Sequence, residues 1–307
     1  MYVPDILGGD FRRATLKVSS DRDGETVCTL VRAGEPAFNR SVLYLHGFCD
    51  YFFQREMAVE FQQHGFNFYA LDLRRCGRSL RRGQTLGNIR DIREYYDDLD
   101  AALAVVRSET GRDTTFVGHS TGGLVLSMYL HNRPPDTAAA LVLNSPFFAF
   151  NTKRSMQRML PAVSLAARFF PDAKLNKGFS PNYGRSISAK GCGEWTFNEE
   201  WKPGAVKWIT FSWIAAIHRA QRKLQRGLNL ACPTLVMRSA RSFKSRVWSE
   251  EFKRADAVLN VDDILKHSFA LGKNVTNVAF ENALHDLILS DAETRKKVYE
   301  YMFRWLN

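Results

Sequence analysis

The chain has no uncharged apolar run of the roughly 18 residues that a membrane-crossing helix needs, which argues against a helical span. Cysteine is sparse: Cys28, Cys49, Cys76, Cys192 and Cys232 are scattered with no CxxC pair. Neither a zinc site nor a disulfide framework is expected from that spacing. Residues 1–13 carry Asp5 and Asp10 and lack the basic-then-apolar layout of a secretory signal. These absences point to a cytoplasmic protein. Acids are also few beside bases, 32 Asp and Glu against 43 Lys and Arg, a formal charge of +11.

That charge has two readings. Clusters such as Arg74, Arg75, Arg78, Arg81 and Arg82, or Arg219, Arg222, Lys223 and Arg226, could draw an anionic membrane or nucleic acid to the surface. The plainer reading is a solvated basic surface. No nucleic-acid-binding pattern accompanies the charge, so no nucleic-acid partner is expected. Peripheral contact with an anionic membrane stays open, and no feature sets an oligomeric state.

What the chain does have is length and apolar content, 307 residues of which 45% are hydrophobic, enough to bury a sizeable core. Short apolar runs bounded by turn residues read as buried strands at 42–46, 66–72, 114–117, 140–144, 234–237 and 275–280. Helical runs at 53–64, 89–109 and 124–132 fall between them. Alternation of this kind gives an α/β protein, a mostly parallel sheet flanked by helices. Runs at 15–18 and 26–31 suggest an antiparallel hairpin on one edge, with Asp23 and Gly24 in its turn. A last helix is expected over 291–306, with acids first and Arg295, Lys296 and Lys297 after them, as the helix dipole favours.

One stretch breaks the alternation. About ninety residues separate Asn144 from Thr234 with no buried-strand signal but many aromatics, among them Phe148, Phe169, Phe170, Trp195, Phe197 and Trp213. A structureless loop of that length is improbable in a compact domain. It reads as an inserted helical cap over residues 145–230, most of its aromatics forming the cap's own core and the rest walling an apolar pocket. The sheet domain would then comprise residues 1–144 and 231–307.

Between the run at 114–117 and a helical run from Leu124 lies Gly118-His119-Ser120-Thr121-Gly122. The order strand, GxSxG, helix is the form of a nucleophile elbow, a sharp turn that lifts a serine hydroxyl above the C-terminal edge of a sheet. Glycines flank the serine because strained backbone there leaves no room for neighbouring Cβ atoms. The pentapeptide alone is weak, since a chain of this length shows GxSxG by chance about one time in ten. Its weight comes from context, with acids and a histidine following in the order expected for this elbow.

Taken together, His46-Gly47-Phe48 after a strand, Leu71-Asp72 followed by Gly77-Arg78-Ser79, the elbow, the inserted cap and a late His285 resemble an α/β-hydrolase of the monoacylglycerol lipase and lysophospholipase type. The resemblance implies the α/β-hydrolase fold and a serine hydrolase. Ser120 is then the nucleophile. His285, in the loop between the last strand and the terminal helix, holds the family's position for the base; His46 and His119 more simply shape turns. The family's acid follows the strand ending here at Met237, usually in a Gly-x-x-Asp-x-x-Val type turn. This chain has Arg238-Ser239-Ala240-Arg241-Ser242 instead. Asp256, followed by Ala257-Val258-Leu259 and a helix over 261–271, has the look of the expected turn, as though 243–255 were an insertion. Asp262 or Asp263 is the alternative acid, with a helix N-terminal carboxylate as the ordinary role of both. Oxyanion donors would be the backbone N–H groups of Thr121 and Phe48. Asp72 and Asp286 read as braces.

The function expected is hydrolysis of carboxylic esters with a lipid-derived or other apolar acyl group, through an acyl-enzyme, with no metal or cofactor. Two other functions remain open. One is a peptidase on the same fold that would hold a free amino terminus on Glu194, Glu199 or Glu200. The other is a binding protein without turnover, which the missing acid turn after Met237 allows.

Overall fold

The computed structural model describes residues 1–21, 24–176 and 181–307. The strands are β1 (Val3–Pro4), β2 (Phe11–Asp21), β3 (Gly24–Ala33), β4 (Arg40–Leu45), β5 (Phe66–Asp72), β6 (Thr114–His119), β7 (Ala140–Asn144), β8 (Lys174–Leu175), β9 (Ile209–Thr210), β10 (Thr234–Ser239) and β11 (Val275–Phe280). The helices are α1 (Arg55–Gln63), α2 (Glu94–Thr110), α3 (Thr121–His131), α4 (Arg154–Ala166), α5 (Pro181–Ile187), α6 (Phe211–Leu224), α7 (Val261–Ser268) and α8 (Ala292–Leu306). Nine strands form one sheet in the order β1-β2-β3-β5-β4-β6-β7-β10-β11 among the described residues. From β5 to β11 every pairing is parallel, while β1, β2 and β3 add an antiparallel edge. This is the mostly parallel sheet that the alternation of runs implies. Of the residues expected in the hairpin turn, Gly24 begins β3 at φ 99° and Asp23 lies outside the described residues.

Strand periodicity of two decides which side chain meets which layer. In β4, Leu43 and Leu45 face a cluster with Leu99, Leu103 and Val106 of α2 and Leu124 and Met128 of α3. Val42 and Tyr44 face the other side, against Met57 and Phe61 of α1 and Val298, Met302 and Phe303 of α8. Both faces are covered, as a parallel sheet requires.

Between β7 and β10 the chain carries α4, α5, α6 and the two-stranded β8–β9 ribbon. Among the described residues its aromatics do not form a core of their own. Phe147, Phe148 and Trp213 belong to the sheet's own core. Trp195, Phe197 and Trp201 pack on Tyr51 and Phe53, which follow β4. Phe169 and Phe170 stay exposed, at 74% and 66%. Helix α6 is amphipathic and lays Ile214, Ile217 and Leu224 into the same core, so this face is bound to the sheet domain by hydrophobic burial.

The arginine cluster after β5 is not a surface patch. Arg74 is buried against Asp98, with Nη2 2.7 Å from Oδ1. Arg78 is buried between Asp5 and Asp72, at 2.7 and 2.8 Å. Arg75 is buried beside Asp21 at 2.6 Å, leaving Arg81 and Arg82 as the exposed members. Burial works against ionisation of Asp5, but the Arg78 guanidinium outweighs it and holds that carboxyl below the usual range. Asp72 also accepts the N–H groups of Phe52 and Arg78, so the loop after β5 braces the loop after β4.

Candidate active site

Ser120 joins β6 to α3 at φ 51° and ψ −115°, a conformation that side chains rarely adopt. Close approach forces it. A Cβ on Gly118 would lie 2.9 Å from the backbone of Gly123, and one on Gly122 would fall on the carbonyl oxygens of Leu45 and His46. The turn is fixed from β7: Ser120 N–H donates to the Asn144 carbonyl at 3.0 Å, and Phe147 N–H donates back to the Ser120 carbonyl at 3.0 Å. Thr121 stands at the first position of α3, where helical N–H groups lack an intrahelical acceptor.

His285 follows β11, buried, with Nε2 3.0 Å from Ser120 Oγ and Nδ1 2.9 Å from Asp256 Oδ2. Its loop is held by its neighbour Asp286, whose carboxylate accepts from Asn144 Nδ2 at 2.7 Å and from the Ile288 N–H at 3.2 Å. Tyr183 of α5 sets its ring edge-on to the imidazole, centroids 5.7 Å apart.

Asp256 is fully buried, and both its oxygens have work. Oδ1 accepts the N–H groups of Val258 and Leu259 at 2.8 and 2.7 Å, which turns Oδ2 toward His285. The chain reaches this point from β10 by an excursion over 243–255 that closes on itself. Ser242 bridges Asp256, Phe243 N–H donates to the Asp256 carbonyl, and Asp256 N–H donates to the Arg241 carbonyl. Inside the excursion, Phe252 packs on Phe243 and Trp248. Asp262 and Asp263 lie instead in the first turn of α7, where Asn260 caps the helix by accepting from Asp262 N–H.

The loop after β4 carries Phe48. His46 fixes its start: Nε2 accepts the Leu73 N–H at 3.1 Å, which leaves Nδ1 protonated to donate to the Gly47 carbonyl at 2.7 Å. The Phe48 ring packs 4.1 Å from Trp213. His119, buried behind the serine, is pushed well below its usual range, first by burial and then by the neighbouring His285. Its 4.0 Å approach to Asp286 therefore joins a neutral imidazole to the carboxyl and is no ion pair. Burial in turn pushes the Asp286 carboxyl up.

Ser120 and His285 open into a cavity of about 70 Å³ walled by Phe48, Tyr183, Ile187, Phe197 and Val258, with Asp50 and Lys202 also on its lining. A groove of about 540 Å³ shares Tyr183 and Val258 with it and continues over Phe147, Phe150 and Leu259. A second space of about 230 Å³ shares Phe48 and Val206 and continues to Leu86 and Trp208. The Lys202–Asp50 pair has no counterpart in the residues the sequence singles out. Nothing in the 145–230 sequence marks which of its lysines turns inward.

A serine on a strand–helix elbow at the edge of a mostly parallel sheet, with a histidine after the last strand, defines the α/β-hydrolase class. Residues 37–243 match the family profile Hydrolase_4, described as serine aminopeptidase, S33. That is more than half of the chain, which belongs to this family of serine hydrolases. The match ends where the excursion begins, so Asp256 and His285 lie beyond it. Similar solved structures include a soluble variant of monoglyceride lipase from Saccharomyces cerevisiae in complex with a substrate analog (15% identity, 96% of this chain and 95% of that one, TM-score 0.66). The monoacylglycerol lipase of Paleococcus ferrophilus is also similar (18%, 97% and 98%, 0.63), as is an esterase from Exiguobacterium antarcticum (16%, 95% and 99%, 0.59). At such identities the likeness is one of fold. A search of curated proteins finds no significant sequence match.

Proposed function

We propose that this protein hydrolyses carboxylic esters with an apolar acyl group, of the monoacylglycerol or lysophospholipid kind. The observation that carries the reading is the unbroken chain of hydrogen bonds from Ser120 Oγ through His285 to Asp256, opening on an apolar cavity. Ser120 attacks the ester carbonyl while His285 Nε2 takes its proton. Asp256 holds the imidazole in the required tautomer and stabilises the imidazolium. The N–H groups of Thr121 and Phe48 receive the oxyanion, and the protonated histidine then releases the alcohol. Water resolves the acyl-enzyme by the same steps in reverse order. Residues 145–230 act as a cap whose inner side walls the acyl site. The exposed basic side chains of α6 and the exposed apolar ones of α4 suit contact with an anionic lipid surface. The five free thiols suit a cytoplasmic location.

The peptidase reading draws on the family's description and needs a carboxylate free to hold a substrate ammonium. Glu194 pairs with Arg295 and Glu199 with Lys190, Glu200 is exposed and does not line the cavity with Ser120, and Asp50 inside the cavity is taken by Lys202. These pairings favour the esterase. A fluorophosphonate probe should label the wild-type protein at Ser120, and nitrophenyl acyl esters should turn over far faster than aminoacyl nitroanilides. Absence of labelling would support a binding protein; preference for the anilides would support the peptidase.

A further inference from the structure

The cavity beside Ser120 is walled mainly by apolar side chains, and its polar lining holds one ion pair besides Ser120, His119, His285 and Tyr183. Asp50 lies in the loop that carries Phe48, and Lys202 comes from the segment between α5 and β9; Lys202 Nζ lies 2.6 Å from Asp50 Oδ2. Both residues are more than nine-tenths buried and both line the cavity with Ser120 and His285. Removing two charges from water costs several kcal/mol per ion before their attraction offsets it. A pair of apolar side chains would close this wall at no such cost.

Two features suit the pair to reading a ligand. Lys202 is held rigidly: its N–H donates to the Asn198 carbonyl at 2.9 Å, Asn198 N–H donates to Tyr51 Oη at 2.8 Å, and Trp201 packs edge-on to Tyr51. Its ammonium also has donors to spare. An ammonium carries three N–H groups, and Asp50 is its one acceptor among the described residues. The Phe53 ring lies 5.6 Å from the same nitrogen, and a polar group entering the cavity beside Ser120 can take up the donors that remain.

An apolar substituent leaves those donors unmet, an ammonium is repelled, and a carboxylate satisfies them with charge-assisted hydrogen bonds. We propose that Lys202, oriented by Asp50, is a specificity-determining residue that selects esters bearing a carboxylate close to the scissile bond, on the acyl or the alcohol side. The proposal rests on the ester-hydrolase reading alone; a carboxylate beside the scissile bond lies outside the monoacylglycerol and lysophospholipid kind, so it would replace that part of the reading. The Lys202 ammonium stands against Asp50 as the amino terminus of a peptide would, so the site's charge preference is reversed relative to that of an aminopeptidase.

Two pairs of substrates test it and separate the two sides. On the acyl side, the nitrophenyl hemiester of glutaric acid is compared with nitrophenyl valerate. On the alcohol side, the butyrate ester of glycolic acid is compared with propyl butyrate, followed by acid release. In one arm the anionic ester should have the higher kcat/KM by about tenfold. Lys202→Met should bring that ratio to one or below, and Lys202→Arg should keep most of it, a pattern that a purely structural strut would not produce. Should Lys202→Met fail to fold, the wild-type protein still decides: glutarate should inhibit about tenfold more tightly than glutaramide. Neutral esters turned over with no anionic preference in either arm, or a preference that survives in Lys202→Met, would overturn this inference and leave the esterase reading standing. Failure on every ester, with no labelling of Ser120, would remove both.

Discussion

Ser120, Asp256 and His285 come from three loops, with Ser120 165 positions before His285 and Asp256 29 before it, and each is positioned by something other than its two partners. The serine is held by glycine contacts and the β7 carbonyl, the histidine loop by Asp286, and the carboxylate by two backbone N–H groups. Removing one member should therefore leave the other two in place. Ser120→Ala and His285→Ala are each expected to abolish nearly all ester turnover, and the double variant to cost little more, because such residues act as a unit. Asp256→Asn should lower kcat by several orders of magnitude at unchanged fold, since an amide supports the wrong tautomer. Asp262→Asn and Asp263→Asn should be mild. Additive losses in the double variant, or a crippled Asp262 or Asp263 variant beside an active Asp256→Asn, would contradict these roles. Ser120 and His285 were legible because motif and chain order mark them. Asp256 was legible only by allowing for an insertion. Lys202 was not legible at all, because a lysine's meaning depends on its partner, and Asp50 lies 152 positions away in sequence.

At the scale of elements, the parallel strands were readable because burial on both faces makes them near-continuous apolar runs. Phe66–Asp72 and Ala140–Asn144, buried throughout, occupy the bounds their composition marks; Val275–Phe280 also keeps its bounds but is half-buried, not buried as expected, because it forms the edge of the sheet. Helix α2 begins later than its apolar pattern does, at Glu94, whose carboxylate accepts the N–H groups of Arg90 and Asp91 and ends the preceding turn. The 145–230 segment was the least readable. Its short elements take their place from contact with the core and not from periodicity. A tight joint between elements is the crossing of α3 and β4 at Gly122. Gly122→Ala would drive a methyl group into two backbone carbonyls, which cannot swing aside as a side chain does. A loss of about 3 kcal/mol in urea unfolding is expected. A fall in kcat on the order of a hundredfold should accompany it, because the displaced strand end carries the Phe48 loop. A variant of wild-type stability and activity would mean that the crossing is looser than described.

For the whole molecule, the net charge of +11 divides into two populations. Arg74, Arg75 and Arg78 are internal struts; Arg219, Arg222 and Lys223 are exposed on α6 and Arg226 in the turn after it. Helix α4, which packs on α6, and the turn after it expose Met159, Leu165, Phe169 and Phe170. No helix among the described residues is long and apolar enough to cross a membrane, so lipid contact through this face would be peripheral. Basic residues near an anionic surface contribute roughly 1 kcal/mol each, an attraction screened beyond about 8 Å at physiological salt. Sedimentation with anionic vesicles is expected to fall steeply as salt rises, with weaker and salt-insensitive binding to neutral vesicles through the apolar side chains. Equal, salt-independent binding to both, or none to either, would assign the charge to solvation alone.

The closed neck of the 243–255 excursion has a consequence for how such a protein can change. Because the chain leaves and rejoins the sheet edge at neighbouring points, Asp256 keeps its place whatever the number of residues looped out between Ser242 and itself. The excursion behaves as a cassette. A gene could lengthen it, trim it or exchange it for a peptide tag with only a slowly growing entropic cost, while the carboxylate stays within reach of the imidazole. A pattern that counts residues from the strand would lose the acid in every such descendant, although the hydrogen bonds that seat it had not moved.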